Sequence, residues 1–167
     1  MSARFAITLW ISLILATLTS PVVAQRHKAV LLGAGLAGPT DDFASEVDPG
    51  WQISGMLDIP LGAEIASLRI ELAYVRFGAS LAGRAPRMVP LLVTLAAEFG
   101  GRAVRPFLVG GTGLYYFKAT DPEFTDNKFG LNVGAGARWR RVLFEGRYHS
   151  VFDRGDTYWT LTTGLRL

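Results

Sequence analysis

The chain has 167 residues, no cysteine and a net charge of +3, with 17 basic against 14 acidic side chains. That length allows one domain or two small ones. Charge this balanced, without a basic run, argues against a nucleic-acid partner, and the lack of cysteine excludes disulfides and thiolate zinc sites.

The first element is a leader. Arg4 supplies a positive start, and Phe5 to Leu18 is apolar except at Thr8, Ser12 and Thr17. Val22, Val23 and Ala24 then precede Gln25. The pattern predicts a secretory signal peptide at 1–24, cleaved after Ala24, and one mature domain at 25–167. The apolar run is short for a membrane-spanning helix.

Eight strands are predicted in the rest of the chain, and no helix. They run from Lys28 to Leu36, Trp51 to Ile59, Leu68 to Phe77, Val89 to Phe99, Phe107 to Lys118, Lys128 to Arg138, Val142 to Phe152 and Tyr158 to Leu167. Each is long enough to cross a bilayer when tilted. The connections alternate in length. Pro39 to Gly50 is long and acidic, Pro60 to Ser67 is shorter, and Gly78 to Met88 is long again. Gly100 to Pro106 is shorter, Ala119 to Asn127 longer, and Trp139 to Arg141 a tight turn. Asp153 to Thr157 breaks the trend by being short. Long loops at one end and short turns at the other is the habit of outer-membrane barrels.

Successive side chains of a strand point to opposite faces. From Val142 to His149 the even positions carry no charge, whereas Glu145, Arg147 and His149 share the odd face. Leu68, Ile70, Leu72 and Tyr74 oppose Arg69 and Glu71, and Trp159, Leu161 and Leu165 oppose Thr160, Thr162 and Arg166. The first and fifth strands are less clean, with Gly and Leu on both faces. A soluble sandwich would bury the apolar face, and a membrane barrel would turn it to lipid. Two belts of aromatic residues favour the barrel: Trp51, Phe117, Phe129 and Trp159 near the long loops, and Phe99, Phe107 and Trp139 near the short turns. The inward charges are then Asp58, Arg69, Glu71, Glu98, Arg138, Glu145, Arg147 and Arg166. Four acids and four bases are expected to pair and fill the lumen, since isolated charges there would be costly.

Two stretches carry a family resemblance. Phe129-Gly130-Leu131-Asn132-Val133-Gly134-Ala135-Gly136-Ala137-Arg138 and Leu143-Phe144-Glu145-Gly146-Arg147-Tyr148-His149 resemble the bacterial outer membrane protein beta-barrel domain family. Pro106 to Gly111 is similar to that family's fifth-strand opening, and Thr163 to Leu167 to its last strand. The resemblance implies a small eight-stranded barrel. It also implies recognition of the last strand by the barrel-assembly machinery, although that strand usually ends in Phe and here ends in Leu167. It implies no single activity, because the family hosts adhesins, assembly factors and resistance proteins.

Several local motifs invite sharper readings. Gly33-Ala34-Gly35-Leu36-Ala37-Gly38 spells a dinucleotide fingerprint, with Asp58 downstream, but Pro39 follows where a helix should run. Glass-smooth packing of neighbouring strands is the simpler use of those glycines. Glu145, His149 and Ser150 suggest the Ser-His-Glu triad of lipid A deacylase barrels, yet adjacent His149 and Ser150 face opposite ways. Arg154-Gly155-Asp156 spells an integrin tripeptide, and Asp121, Glu123, Asp126 and Asn127 gather acids without EF-hand spacing. His27 and His149 do not make a metal site.

The expected fold class is all-β: an eight-stranded antiparallel transmembrane β-barrel, an up-and-down meander in the bacterial outer membrane. The expected role is structural or surface-interactive, without catalysis, cofactor or metal. The expected partners are outer-membrane lipids, lipopolysaccharide and the assembly machinery, with no nucleic acid, and the expected state is a monomer. The alternatives are a narrow porin-like channel for ions or small solutes, and a lipid-modifying barrel enzyme.

Overall fold

The computed structural model describes residues 28–61, 65–79, 86–100, 103–118, 125–152 and 155–167. The predicted leader at 1–24 and His27 lie outside them. Eight strands follow in chain order: β1 (Ala29–Thr40), β2 (Asp48–Pro60), β3 (Ala66–Gly78), β4 (Arg87–Glu98), β5 (Val104–Lys118), β6 (Thr125–Trp139), β7 (Val142–Val151) and β8 (Thr157–Arg166). A short helix, α1 (Asp41–Glu46), joins β1 to β2.

Each strand pairs antiparallel with its sequence neighbours, and β8 returns to β1, so the sheet closes. The closing seam runs from Leu31 opposite Arg166 to Thr40 opposite Thr157. Beyond it, the Leu167 N–H donates to the Val30 carbonyl at 2.9 Å. Closure leaves no free sheet edge, so every strand has a ladder on both sides. None of the helices among the described residues is long and apolar enough to cross a membrane, which says nothing of crossing by strands.

The first six strands are longer than the sequence pattern predicts, and at β1 and β2 this corrects two expectations. The stretch from Pro39 to Gly50 is not a long loop. β1 continues through Pro39 to Thr40 and β2 begins at Asp48, so only α1 and Val47 separate them. The expectation of no helix also fails there. Thr40 is extended at φ −130, and Asp41 then takes a left-handed φ of 53, a region that Asp tolerates better than most residues. Phe43 explains why the turn is helical. It is 7% exposed and meets Phe77 edge to face at 5.1 Å, so α1 buries one aromatic in the barrel mouth.

The Gly33 to Gly38 motif lies wholly within β1. A Cβ on Gly38 would come within 2.2 Å of the Trp159 ring on β8, which pairs opposite it. The glycine is therefore a packing device at the seam. The helix that follows, α1, has only six residues, leads into an antiparallel strand and buries Phe43 in the barrel mouth, so this is not the strand–turn–helix unit that receives a pyrophosphate.

Candidate functional site

The outward face of the barrel is apolar around its circumference. Leu32, Leu72, Leu95, Leu108, Val133, Phe144 and Leu161 come from seven different strands, and each is about half exposed. Midway along the same strands the charged side chains turn inward, on the parity opposite to these apolar ones, whereas Arg76, Arg87 and Lys118 at the loop end keep the outward parity.

The interior is layered. At the short-turn end, Ala29, Leu31, Met56, Ala96, Phe107, Val109 and Leu143 form one apolar cluster. At the loop end a second cluster gathers Phe43 with Val75, Phe77, Met88, Leu92, Tyr115, Phe117 and Tyr158, among others. Buried charge lies along the same bore. The Arg69 guanidinium donates to Glu145 Oε2 at 2.5 Å, and Arg147 contacts the other oxygen of Glu145. Arg147 also donates to Glu71 Oε2 at 2.8 Å. These four side chains form one neutral chain reaching from β3 to β7. Arg69 is fully buried, and its guanidinium carbon lies 5.4 Å from the centre of the Phe107 ring.

A second cluster sits nearer the short turns. Arg138 donates to Asp58 Oδ2 at 2.9 Å and meets Glu98 Oε1 at 2.5 Å. Arg166 does not join either cluster. It is partly exposed at the end of β8 and makes no ion pair among the described residues. Pairing on this scale matters energetically, because an uncompensated buried charge costs several kcal/mol, of the order of 3–5 when one partner is removed.

Above the charges sits a group that periodicity alone does not predict. His149 stacks on Tyr158 at 4.3 Å with rings nearly parallel. Its Nδ1 lies 3.1 Å from the Tyr115 hydroxyl, and its Nε2 lies 3.4 Å from Thr160 Oγ1. Tyr115 and Tyr158 also meet edge to face, and Tyr158 meets Phe77, the partner of Phe43, so three rings from β5, β7 and β8 pack inside the barrel below α1.

The local motifs fare as follows. Glu145 is held by two arginines and His149 by Tyr115, Tyr158 and Thr160, whereas Ser150 sits on the opposite face of β7. The structure does not bring the three together as a triad. Asp121, Glu123 and Arg154 lie outside the described residues. Asp126 pairs with Lys128 at 3.3 Å, and Asp156 is only 8% exposed. Among the described residues, no group of three His, Asp or Glu side chains is arranged to hold a metal ion.

The aromatic belts need a correction. Trp51, Phe99, Phe129 and Trp139 point outward and are well exposed, and Trp159 is partly exposed on the same face. Phe107 and Phe117 point inward, at 1% and 9% exposure. Parity on β5 is the reason. Phe107, Val109, Tyr115 and Phe117 all take the inner face, leaving Leu108, Leu114 and Tyr116 outside. Glycine makes the room: Phe107 pairs across from Gly136, where a Cβ would stand 2.4 Å from the phenyl ring. The run from Gly110 to Gly113 hides this parity in the sequence.

No protein-family model matches the chain, and no curated protein matches it. Solved structures do. Neisserial surface protein A superposes with a TM-score of 0.67 at 16% identity, covering 84% of this chain and 96% of that one. Ail of Yersinia pestis, the attachment invasion locus protein, gives a TM-score of 0.54 at 14% identity over 84% and 97%. The outer membrane enzyme PagL gives 0.55 at 14% identity over 83% and 98%. The fold is that of the small outer-membrane barrels. At these identities the likeness speaks for architecture alone, and these barrels include both an attachment protein and an enzyme.

Proposed function

We propose that this chain is an eight-stranded barrel of the bacterial outer membrane, exported behind the leader at 1–24, with a structural or surface-interactive role. One observation carries the reading: the apolar face is outside and the ion pairs are inside, the reverse of a soluble protein. Lipid is the solvent that such a surface fits. In this reading the short turns and both ends of the barrel domain face the periplasm, and the loops and α1 face outward. The protein works as a monomer without cofactor and meets outer-membrane lipids, lipopolysaccharide and, during biogenesis, the assembly machinery. The paired charges serve as filling for a narrow bore.

The test is extraction followed by electrophoresis. The protein should stay in the membrane pellet after a carbonate wash, and it should migrate differently in unheated and heated samples. Release without detergent would sink the reading. The channel alternative is disfavoured by the two apolar clusters and the ring stack along the bore. Planar bilayers check this, and conductance steps from pure protein would restore the channel. The lipid-modifying alternative is disfavoured by the engagement of Glu145 and His149 elsewhere. Deacylated lipid A found only in expressing cells would restore that one.

A further inference from the structure

The outer face carries three cations whose placement the fold alone does not explain. Register puts Arg76 on β3 directly opposite Arg87 on β4, and Arg87 directly opposite Lys118 on β5. All three are exposed. They share the outward parity of Leu72, Leu91 and Leu114, so the row stands on the outside of the barrel at its loop end. Like charges directly opposite one another destabilise a sheet. None of the three makes an ion pair among the described residues. Among the described residues two acids lie near the row: Asp126 shares the inward parity of Phe117 and is paired with Lys128, and Asp48 lies past a register shift, opposite Gly78.

The surface below the row is graded. Trp51 stands beside Arg76, its register partner, and tilts at 5.7 Å against Tyr74 in the next layer, where Tyr116 pairs across from Val89. One step further from the loops, Leu72, Leu91 and Leu114 lie side by side across the same three strands. Cations, then aromatics, then leucines repeat the order of a phosphorylated lipid: headgroup, interface and acyl chain. Adjacent strands lie about 4.8 Å apart, so the row spans roughly 10 Å, wide enough for several phosphate oxygens.

We propose that Arg76, Arg87 and Lys118 form a binding site for the phosphates of lipopolysaccharide, with its acyl chains lying along the leucine row. This rests on the outer-membrane reading. The bound phosphates offset the repulsion that the register imposes, so the lipid and the rim stabilise each other. Arg140 and Arg141, at the opposite end of the barrel, take no part.

The test uses the full mature chain folded in neutral detergent, titrated with purified lipopolysaccharide and with the same material stripped of phosphate. Each near-surface cation contributes about fivefold in affinity, so Arg76→Gln/Arg87→Gln/Lys118→Gln should lose roughly a hundredfold for the phosphorylated form. The stripped form should bind weakly to both proteins. Arg140→Gln/Arg141→Gln should bind like the parent. Arg87→Gln alone, at the centre of the row, should lose about fivefold and carries the test if the triple variant does not fold. Equal binding by parent and variants, or equal binding of stripped material, overturns the site. Tighter binding of a sulfated sugar, sucrose octasulfate, sensitive to the same substitutions, overturns its assignment to lipid. Carbonate extraction keeps the two readings apart: release sinks the membrane reading itself, whereas retention with unchanged binding sinks only this site.

Discussion

Charge is used in opposite ways on the two faces of one sheet. Inside, Arg69, Glu71, Glu145 and Arg147 alternate in sign along a single contact chain. Outside, Arg76, Arg87 and Lys118 repeat one sign across three neighbouring strands. Arg69 and Arg76 stand on the same strand, seven residues apart and on opposite faces. Within that chain the two arginines balance the two glutamates, as burial at 0–5% exposure demands. The rim residues are exposed, so a surplus of one sign there costs far less than it would inside. The contrast separates the two faces: the inner charges meet one another, and on the proposed reading the outer ones meet an anionic layer.

Breaking the inner chain should have the largest effect. Arg147→Met takes from Glu71 the one ion-pair partner it has among the described residues and leaves Glu145 with Arg69 alone. The expected loss is about 3–5 kcal/mol, read from urea unfolding in lipid vesicles with the unheated gel band as signal. Arg147→Met/Glu71→Met should recover most of that loss, because no buried carboxylate is then stranded. A single variant as stable as the parent would mean that the interior is wetter than the pairing implies.

The loop-end apolar cluster comes next. Phe43→Ala empties the space against Phe77 and should cost about 3 kcal/mol, at the low end for a buried phenyl. It should not open a pore, because the stack of His149, Tyr115 and Tyr158 lies beneath. Planar bilayers with this variant sharpen the comparison. Conductance steps would show that α1 alone seals the bore, and that the charged chain lines a gate rather than filling a core.

How much of this was legible in the sequence depends on distance along the chain. Parity within a strand is local, so the faces of β7 and β8 could be read directly from Val142 to Leu167. The inward direction of Asp58, Arg69 and Glu98 followed from the same rule. Partners were not legible. Arg69 and Glu145 are 76 residues apart, and only closure and register bring them together. The inward turn of Phe107 was hidden because it depends on Gly136 across the β5–β6 ladder. The helix at Asp41 was hidden because six residues give too little pattern, and because the burial of Phe43 depends on Phe77 from another strand. The outer cation row fails to appear for the same reason: Arg76, Arg87 and Lys118 become neighbours only through two registers.

The smallest expected effect discriminates most finely, because its sign changes with the solvent. In neutral detergent Arg87→Gln removes two like-charge contacts and should raise stability by about 0.2–1 kcal/mol. In bilayers containing lipopolysaccharide the same change should lower it, because the missing guanidinium no longer holds phosphate. No interior variant should behave this way, since its partners travel with the protein into either medium. Urea midpoints for parent and variant in the two media decide the matter. A gain in both would leave the row repulsive and unoccupied. A loss in both would mean that Arg87 has a protein partner, and that the charges of the outer face are paired after all.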